Sequence, residues 1–145
     1  TLLEDHHRLA MVRIAVDEYP KLQASNVEFD LPQPNYTVNT LAYLEEKYPK
    51  NNFCLIMGED NLKSLHKWKN YEVILERYSI YVYPRISEGK VERQFENHEK
   101  IKKVAAPIIE LSSTFIRQGI KDGKNIRPML SADVWKYLDE MNFYK

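Results

Sequence analysis

The five residues Phe53-Cys54-Leu55-Ile56-Met57 form an unbroken apolar run that empties into Gly58-Glu59-Asp60-Asn61. A run this short, bounded by a glycine and then acids, reads as a buried parallel strand that opens at its carboxyl end. Parallel strands need crossover connections, so the flanking sequence must supply helices. It does so on both sides. Val38, Leu41, Leu44 and Tyr48 keep helical spacing, with Thr37 placed as the cap and Pro49 beyond the end. After the run, 71–77 reads as helical, and Ser79 to Tyr83 alternates and is rich in Ile, Val and Tyr, a second strand ending at Pro84-Arg85.

Further elements extend the alternation. Leu9, Val12, Val16 and Tyr19 mark the apolar face of a first helix that Pro20 stops. Ser25 to Leu31 places Val27, Phe29 and Leu31 at every second position, a half-buried strand broken by Pro32 and Pro34. Ile108 to Leu111 is a third buried strand candidate. Ser112-Ser113-Thr114 caps a helix through Ile120 that Gly123 ends, and Ser131 opens a last helix with Val134, Leu138 and Met141 on one face. Strand and helix alternating in this way predict an α/β fold, a parallel sheet with helices on both faces. No repeat or linker interrupts the pattern, so 1–145 reads as a single domain.

Charge narrows the function. The 21 Lys and Arg balance 21 Asp and Glu, which argues against a general nucleic-acid binder, because backbone affinity needs excess cations. Cys54 stands alone, which excludes an internal disulfide and fits a reducing cytoplasm. Glu4, Asp5, Arg8, Arg13, Asp17 and Glu18 occupy the stretch where a signal sequence would be apolar, and no run of 18 apolar residues exists to span a membrane. His6 and His7 have no second ligand set at metal spacing, so no protein-bound metal is expected. Glu88 to Lys103 reads as a solvated helix or loop region.

Three predicted strand ends release polar clusters, which such sheets gather in one crevice: Gly58 to Asn61, Pro84-Arg85, and Ser112-Ser113-Thr114 with Arg117 one turn on. Hydroxyls at a helix start followed by an Arg suit a phosphate. The same residues also read as a plain helix cap with a solvated Arg. Gly58 allows close backbone approach and Asp60 can accept from two ribose hydroxyls, or else cap the next helix. Trp68 offers a face for a planar ring, or a structural contact.

In order along the chain, Asn35-Tyr36-Thr37-Val38-Asn39-Thr40-Leu41, Ile56-Met57-Gly58-Glu59-Asp60-Asn61-Leu62, Trp68 and Leu111-Ser112-Ser113-Thr114-Phe115-Ile116-Arg117 resemble bacterial nicotinate-nucleotide adenylyltransferases. The resemblance implies a Rossmann-like nucleotidyltransferase fold and transfer of AMP from ATP, with Mg2+, to nicotinate mononucleotide. Deamido-NAD and pyrophosphate would be the products. It assigns Tyr36, Thr37, Thr40 and Trp68 to the nicotinate ring and Arg85 to the mononucleotide. Gly58, Asp60, Ser112, Ser113, Thr114 and Arg117 fall to ATP, with Arg117 also the catalytic charge. The partners implied are these two nucleotides and a possible second copy of the chain, with neither nucleic acid nor membrane. Family members also carry an opening strand and a His-x-Gly-His segment, which is expected ahead of Thr1, and Glu59 stands where they commonly have a small residue. Two other readings are a noncatalytic nucleotide-binding fragment and an adenylyltransferase for another phosphorylated substrate such as pantetheine phosphate.

Overall fold

Three parallel strands, β1 (Cys54–Gly58), β2 (Ser79–Tyr83) and β3 (Ile101–Lys103), pair in the order β1-β2-β3 in a computed structural model that describes residues 2–145. Leu55 pairs with Ile80 and Met57 with Val82, while Ile80 also pairs with Ile101. Alternation therefore brings these apolar residues to one face, where they meet Leu62, Leu65, Ile74 and Phe95 in one core. The helices that follow the strands cover this face: α3 (Glu59–Ser64), α4 (Tyr71–Arg77) and the short α5 (Arg93–Glu96). α2 (Thr37–Lys47) adds Leu41 and Val38. Together these elements form one compact unit, Asp30–Glu110.

The second unit comprises the chain up to Phe29 and from Leu111 onward. In it α1 (Asp5–Val16), α6 (Ser113–Lys121) and α7 (Ala132–Glu140) close over Ile120, Ile126, Val134 and Leu138. Gly119 has its place here for want of room, since an added Cβ would lie 2.5 Å from Ile126 Cγ2.

Several predicted elements are replaced. Ser25 to Leu31 is not a strand: Val27–Phe29 is a single 3-10 turn, and Phe29 is exposed. Ser25 Oγ accepts the Val27 N–H and the Phe29 N–H reaches the Asn26 carbonyl, so local turn bonds win over a ladder. Ile108 to Leu111 is irregular, with Ile108 and Ile109 exposed. The third strand instead lies at Ile101–Lys103, inside the segment whose charges predict a solvated helix or loop; its two lysines sit at the sheet edge beyond one buried-side Ile. β1 is only half buried, because Cys54 and Ile56 alternate onto the face away from the core and stay exposed. In α1 the inward face is His7, Met11 and Ile14, while Val12 is exposed and Tyr19 lies past the helix end. Tyr36, not Thr37, is the N-cap of α2, and Met141 is an exposed C-cap of α7.

One buried hydroxyl gives the fold a pH dependence. Tyr78, 3% exposed, donates to Glu45 Oε2 at 2.8 Å, and Arg77 Nη2 donates to the same oxygen at 2.8 Å. Burial first, then the hydrogen bond to Glu45 and the Glu45 charge, push the Tyr78 phenol from 10.0 up to about 12. The unfolded chain then loses this proton before the folded one, so the contribution is complete below pH 10 and disappears as pH rises toward 12. Tyr78→Phe should flatten that alkaline loss and lower stability at neutral pH by about 1 kcal/mol, as read by denaturant titration across pH. An unaltered alkaline slope would exclude this account.

Candidate functional site

At the carboxyl end of the sheet, β1 stops at Gly58 and β2 at Tyr83, its register partner. Gly58 is buried, caps α3, and has an ordinary extended backbone at φ −77°. Its lack of a side chain matters for space. An added Cβ would lie 2.3 Å from Asp60 Oδ1, 2.7 Å from Arg85 Cδ and 3.3 Å from Tyr83 Cε2. Asp60 occupies the first turn of α3 instead of capping it, and its Oδ1 lies 3.6 Å from Arg85 Nε. That is an ion contact longer than a hydrogen bond, and Oδ1 is sheltered from solvent without a donor. The structure thus brings three sequence-predicted residues, Gly58, Asp60 and Arg85, into one cluster. The loop after Arg85 is fastened by Lys63, whose Nζ donates to the Ser87 carbonyl and hydroxyl, each at 2.8 Å. Sequence spacing gives no sign of that tie.

A second group in the same unit lies around the start of α2. Tyr36 precedes the helix with no side-chain cap, Thr37 is its first residue, and the Thr40 hydroxyl donates back to the Tyr36 carbonyl at 3.4 Å. Lys69 Nζ sits 4.4 Å from the centroid of the Tyr36 ring. Trp68 is partly buried against the core, so its structural role is real. Asn70 takes a left-handed conformation at φ 50°, which Asn tolerates, and starts α4. The Tyr71 N–H reaches the Trp68 carbonyl at 3.3 Å and closes the turn that carries Lys69.

In the other unit Ser112 caps α6, its Oγ accepting the Phe115 N–H at 3.2 Å. Ser113 and Thr114 open the helix, and Arg117 Nη2 donates to Thr114 Oγ1 at 3.2 Å. The motif starts from an irregular segment, not from a strand end. Arg117 also stands 6.0 Å from the Tyr144 ring centroid and lines an open cavity of about 480 Å³ with Thr114, Lys121 and Tyr144. The cations Arg117, Lys121 and Lys145 on its lining suit an anion.

Beside the amino-terminal histidines the structure places a third possible ligand, which the sequence spacing does not offer. Glu4, His6 and His7 bring ligand atoms within 4.8 Å of one another, because Glu4 turns at the cap of α1 and faces His6 Nδ1 at 3.3 Å. His7 Nδ1 meanwhile pairs with Tyr137 Oη at 2.9 Å, which anchors α1 on α7. Elsewhere among the described residues no three acids, histidines or cysteines converge. Among the described residues no helix is long and apolar enough to cross a membrane.

Comparison with known proteins decides the family. Residues 1–119 match the cytidylyltransferase-like family model. A protein of Christiangramia forsetii named "Probable nicotinate-nucleotide adenylyltransferase" is 68% identical over all 145 residues, which span 75% of its length. The chain belongs to the nicotinate-nucleotide adenylyltransferases. A Flavobacterium psychrophilum protein of the same name is 61% identical over the same shares of both chains. The fold agrees with a solved structure of Plasmodium falciparum nicotinic acid mononucleotide adenylyltransferase complexed with APC, at a TM-score of 0.79 and 18% identity, covering 99% of this chain and 77% of that one. A family of nucleotidyltransferases accounts for the parallel sheet with polar residues gathered at its carboxyl end.

Proposed function

We propose that this chain transfers AMP from ATP to nicotinate mononucleotide, releasing pyrophosphate and forming deamido-NAD, in the cytoplasm. The observation that carries the reading is the close set of Gly58, Asp60 and Arg85 at the strand ends, in a chain 68% identical to a relative named for this activity. The reaction needs no covalent enzyme nucleophile: the mononucleotide phosphate oxygen attacks the α-phosphorus of ATP, and the bond to the pyrophosphate oxygen breaks. Alignment of the reactants and neutralisation of charge supply the acceleration.

The residues divide that work. Gly58 leaves room for a nucleotide beside the sheet, and the Asp60 carboxylate accepts from ribose hydroxyls. Arg85 holds Asp60 in place and adds positive charge near the mononucleotide. Tyr36 and Trp68 flank the pyridine ring, with Thr37 and Thr40 fixing the start of α2. Ser112, Ser113, Thr114 and Arg117 receive the ATP phosphates, and Arg117 neutralises charge as pyrophosphate departs. For Mg2+, the donor set fits an ion held by the nucleotide phosphates and water, since no carboxylate cage converges among the described residues. When bound, the ion supplies charge neutralisation on the phosphates.

Incubating the protein with ATP and nicotinate mononucleotide, and following deamido-NAD by mass spectrometry, tests the reading; pyrophosphate without deamido-NAD would sink it. Phosphopantetheine in place of the mononucleotide should give no adenylated product. Within this scheme Arg117→Ala should weaken ATP binding by about 1.5–3 kcal/mol, roughly ten- to a hundredfold, because a charge-assisted contact is lost. Arg117→Lys should restore only part, since an ammonium lacks the two-point fork. Unchanged ATP affinity by calorimetry would remove Arg117 from the phosphate site.

A further inference from the structure

The turn 68–71 and the start of α2 present a cation that the sequence motifs do not include. Lys69 lies between Trp68 and the left-handed Asn70, and its ammonium stands 4.4 Å from the centroid of the Tyr36 ring. No carboxylate of the described residues lies within 4.0 Å of it, in contrast with Arg77, Arg85 and Lys145, each of which faces an acid. Its charge therefore faces Tyr36, one of the two aromatic side chains to which the proposed function gives the pyridine ring, with no acid paired to it. Tyr36 fixes where that charge sits, because the face of an aromatic ring attracts a cation. Tyr36 is itself fixed as the N-cap of α2, and the turn beneath Lys69 is closed by the Tyr71 N–H on the Trp68 carbonyl.

We infer that Lys69 is a specificity-determining residue: its ammonium, positioned over Tyr36, favours a pyridine ring bearing an anionic carboxylate over one bearing a neutral carboxamide. This rests on the assignment of Tyr36 and Trp68 to the ring. The acid and amide mononucleotides share ribose and phosphate, so a cation that faces only the phosphate acts on both nearly alike and contributes little to their ratio. They differ in one charge at one ring position. A full positive charge held beside the ring separates them by electrostatics.

The experiment compares the protein with Lys69→Gln and Lys69→Arg, measuring kcat/KM for nicotinate and nicotinamide mononucleotides and the KM for ATP. Lys69→Gln should lower the acid-to-amide ratio about three- to tenfold, mostly through a higher KM for the acid, as expected for one partly solvated charge contact. The KM for ATP should stay constant, Lys69→Arg should keep most of the ratio, and added salt should erode the ratio of the parent more than that of Lys69→Gln. A ratio that does not change in Lys69→Gln overturns the inference alone. So does an equal loss for both mononucleotides, which would mean that Lys69 serves the shared phosphate or merely steadies Tyr36. A parent protein that adenylates neither mononucleotide overturns the functional reading and this inference with it.

Discussion

Gly58→Ala should lower kcat/KM about a hundredfold while lowering the melting temperature by only a few degrees. The backbone at Gly58 is one that alanine adopts freely, so no conformational strain arises. The new Cβ instead meets Asp60 Oδ1 at 2.3 Å and Arg85 Cδ at 2.7 Å. Both are side-chain atoms with rotamer freedom, and Asp60 and Arg85 are 40% and 32% exposed, so they can swing away toward solvent. Relief of this kind limits the stability loss to the lower part of the roughly 1–3 kcal/mol typical of overpacking. It also moves both groups away from the nucleotide position proposed for them, and a displacement of about 1 Å at reacting groups can cost 10²-fold. Steady-state kinetics and thermal unfolding of the same preparation check both halves. Full activity in a destabilised variant would show that Asp60 and Arg85 do not act from their present positions.

How much of this the sequence discloses depends on whether a local signal competes with a distant one. β2 matches its predicted residues, 79–83, since alternation, β-branching and the following proline agree. The same holds for 71–77 and for the cap at Ser112, where local rules are sufficient. Ser25 to Leu31 fails because alternation over so few residues cannot outweigh turn bonds made within the segment. Ile101–Lys103 is missed for the opposite reason: its lysines look solvated, and only pairing with β2 makes it a strand. The phase of α1 is misread because a histidine, not an aliphatic residue, fills one inward position, where it pairs with Tyr137 across 130 residues of sequence.

Site residues follow the same division. Gly58 and Asp60 are legible from a glycine and an acid at a strand end, and Ser112 with Arg117 from a cap and a turn of helix. The crevice that gathers Arg85 with them is expected from the strand ends, but its direct contact with Asp60 is not, because that follows from β1 lying beside β2 in register. Lys63 on Ser87 and Lys69 on Tyr36 are likewise tertiary facts, joining residues 24 and 33 positions apart. Each involves a lysine, the residue whose sequence context says least, since its long stem reaches many partners.

Phe95→Ala should be the most destabilising single substitution in this unit, by about 3–5 kcal/mol. Phe95 is 0% exposed although it stands on a helix of only four residues, so packing holds that helix in place and not the reverse. Its ring meets Tyr71 edge to face, with centroids 5.9 Å apart and planes at 85°, in the core that includes Leu62, Leu65 and Ile74. Truncation removes transfer energy, leaves a cavity and deletes an aromatic pair worth about 0.5–1.5 kcal/mol. For a chain of this length the melting temperature should fall by roughly 10–20 °C. The loss should also reach substrate binding, because Tyr71 closes the turn that bears Trp68 and Lys69. Hydrogen exchange should therefore quicken within Asp30–Glu110 first. The KM for the mononucleotide should rise more than the KM for ATP. Phe95→Leu should regain most of the stability, since it refills volume, yet only part of the mononucleotide KM, since no aliphatic side chain gives Tyr71 an edge-to-face partner. A mononucleotide KM restored in step with stability would show that volume alone, and not the ring contact, supports the turn.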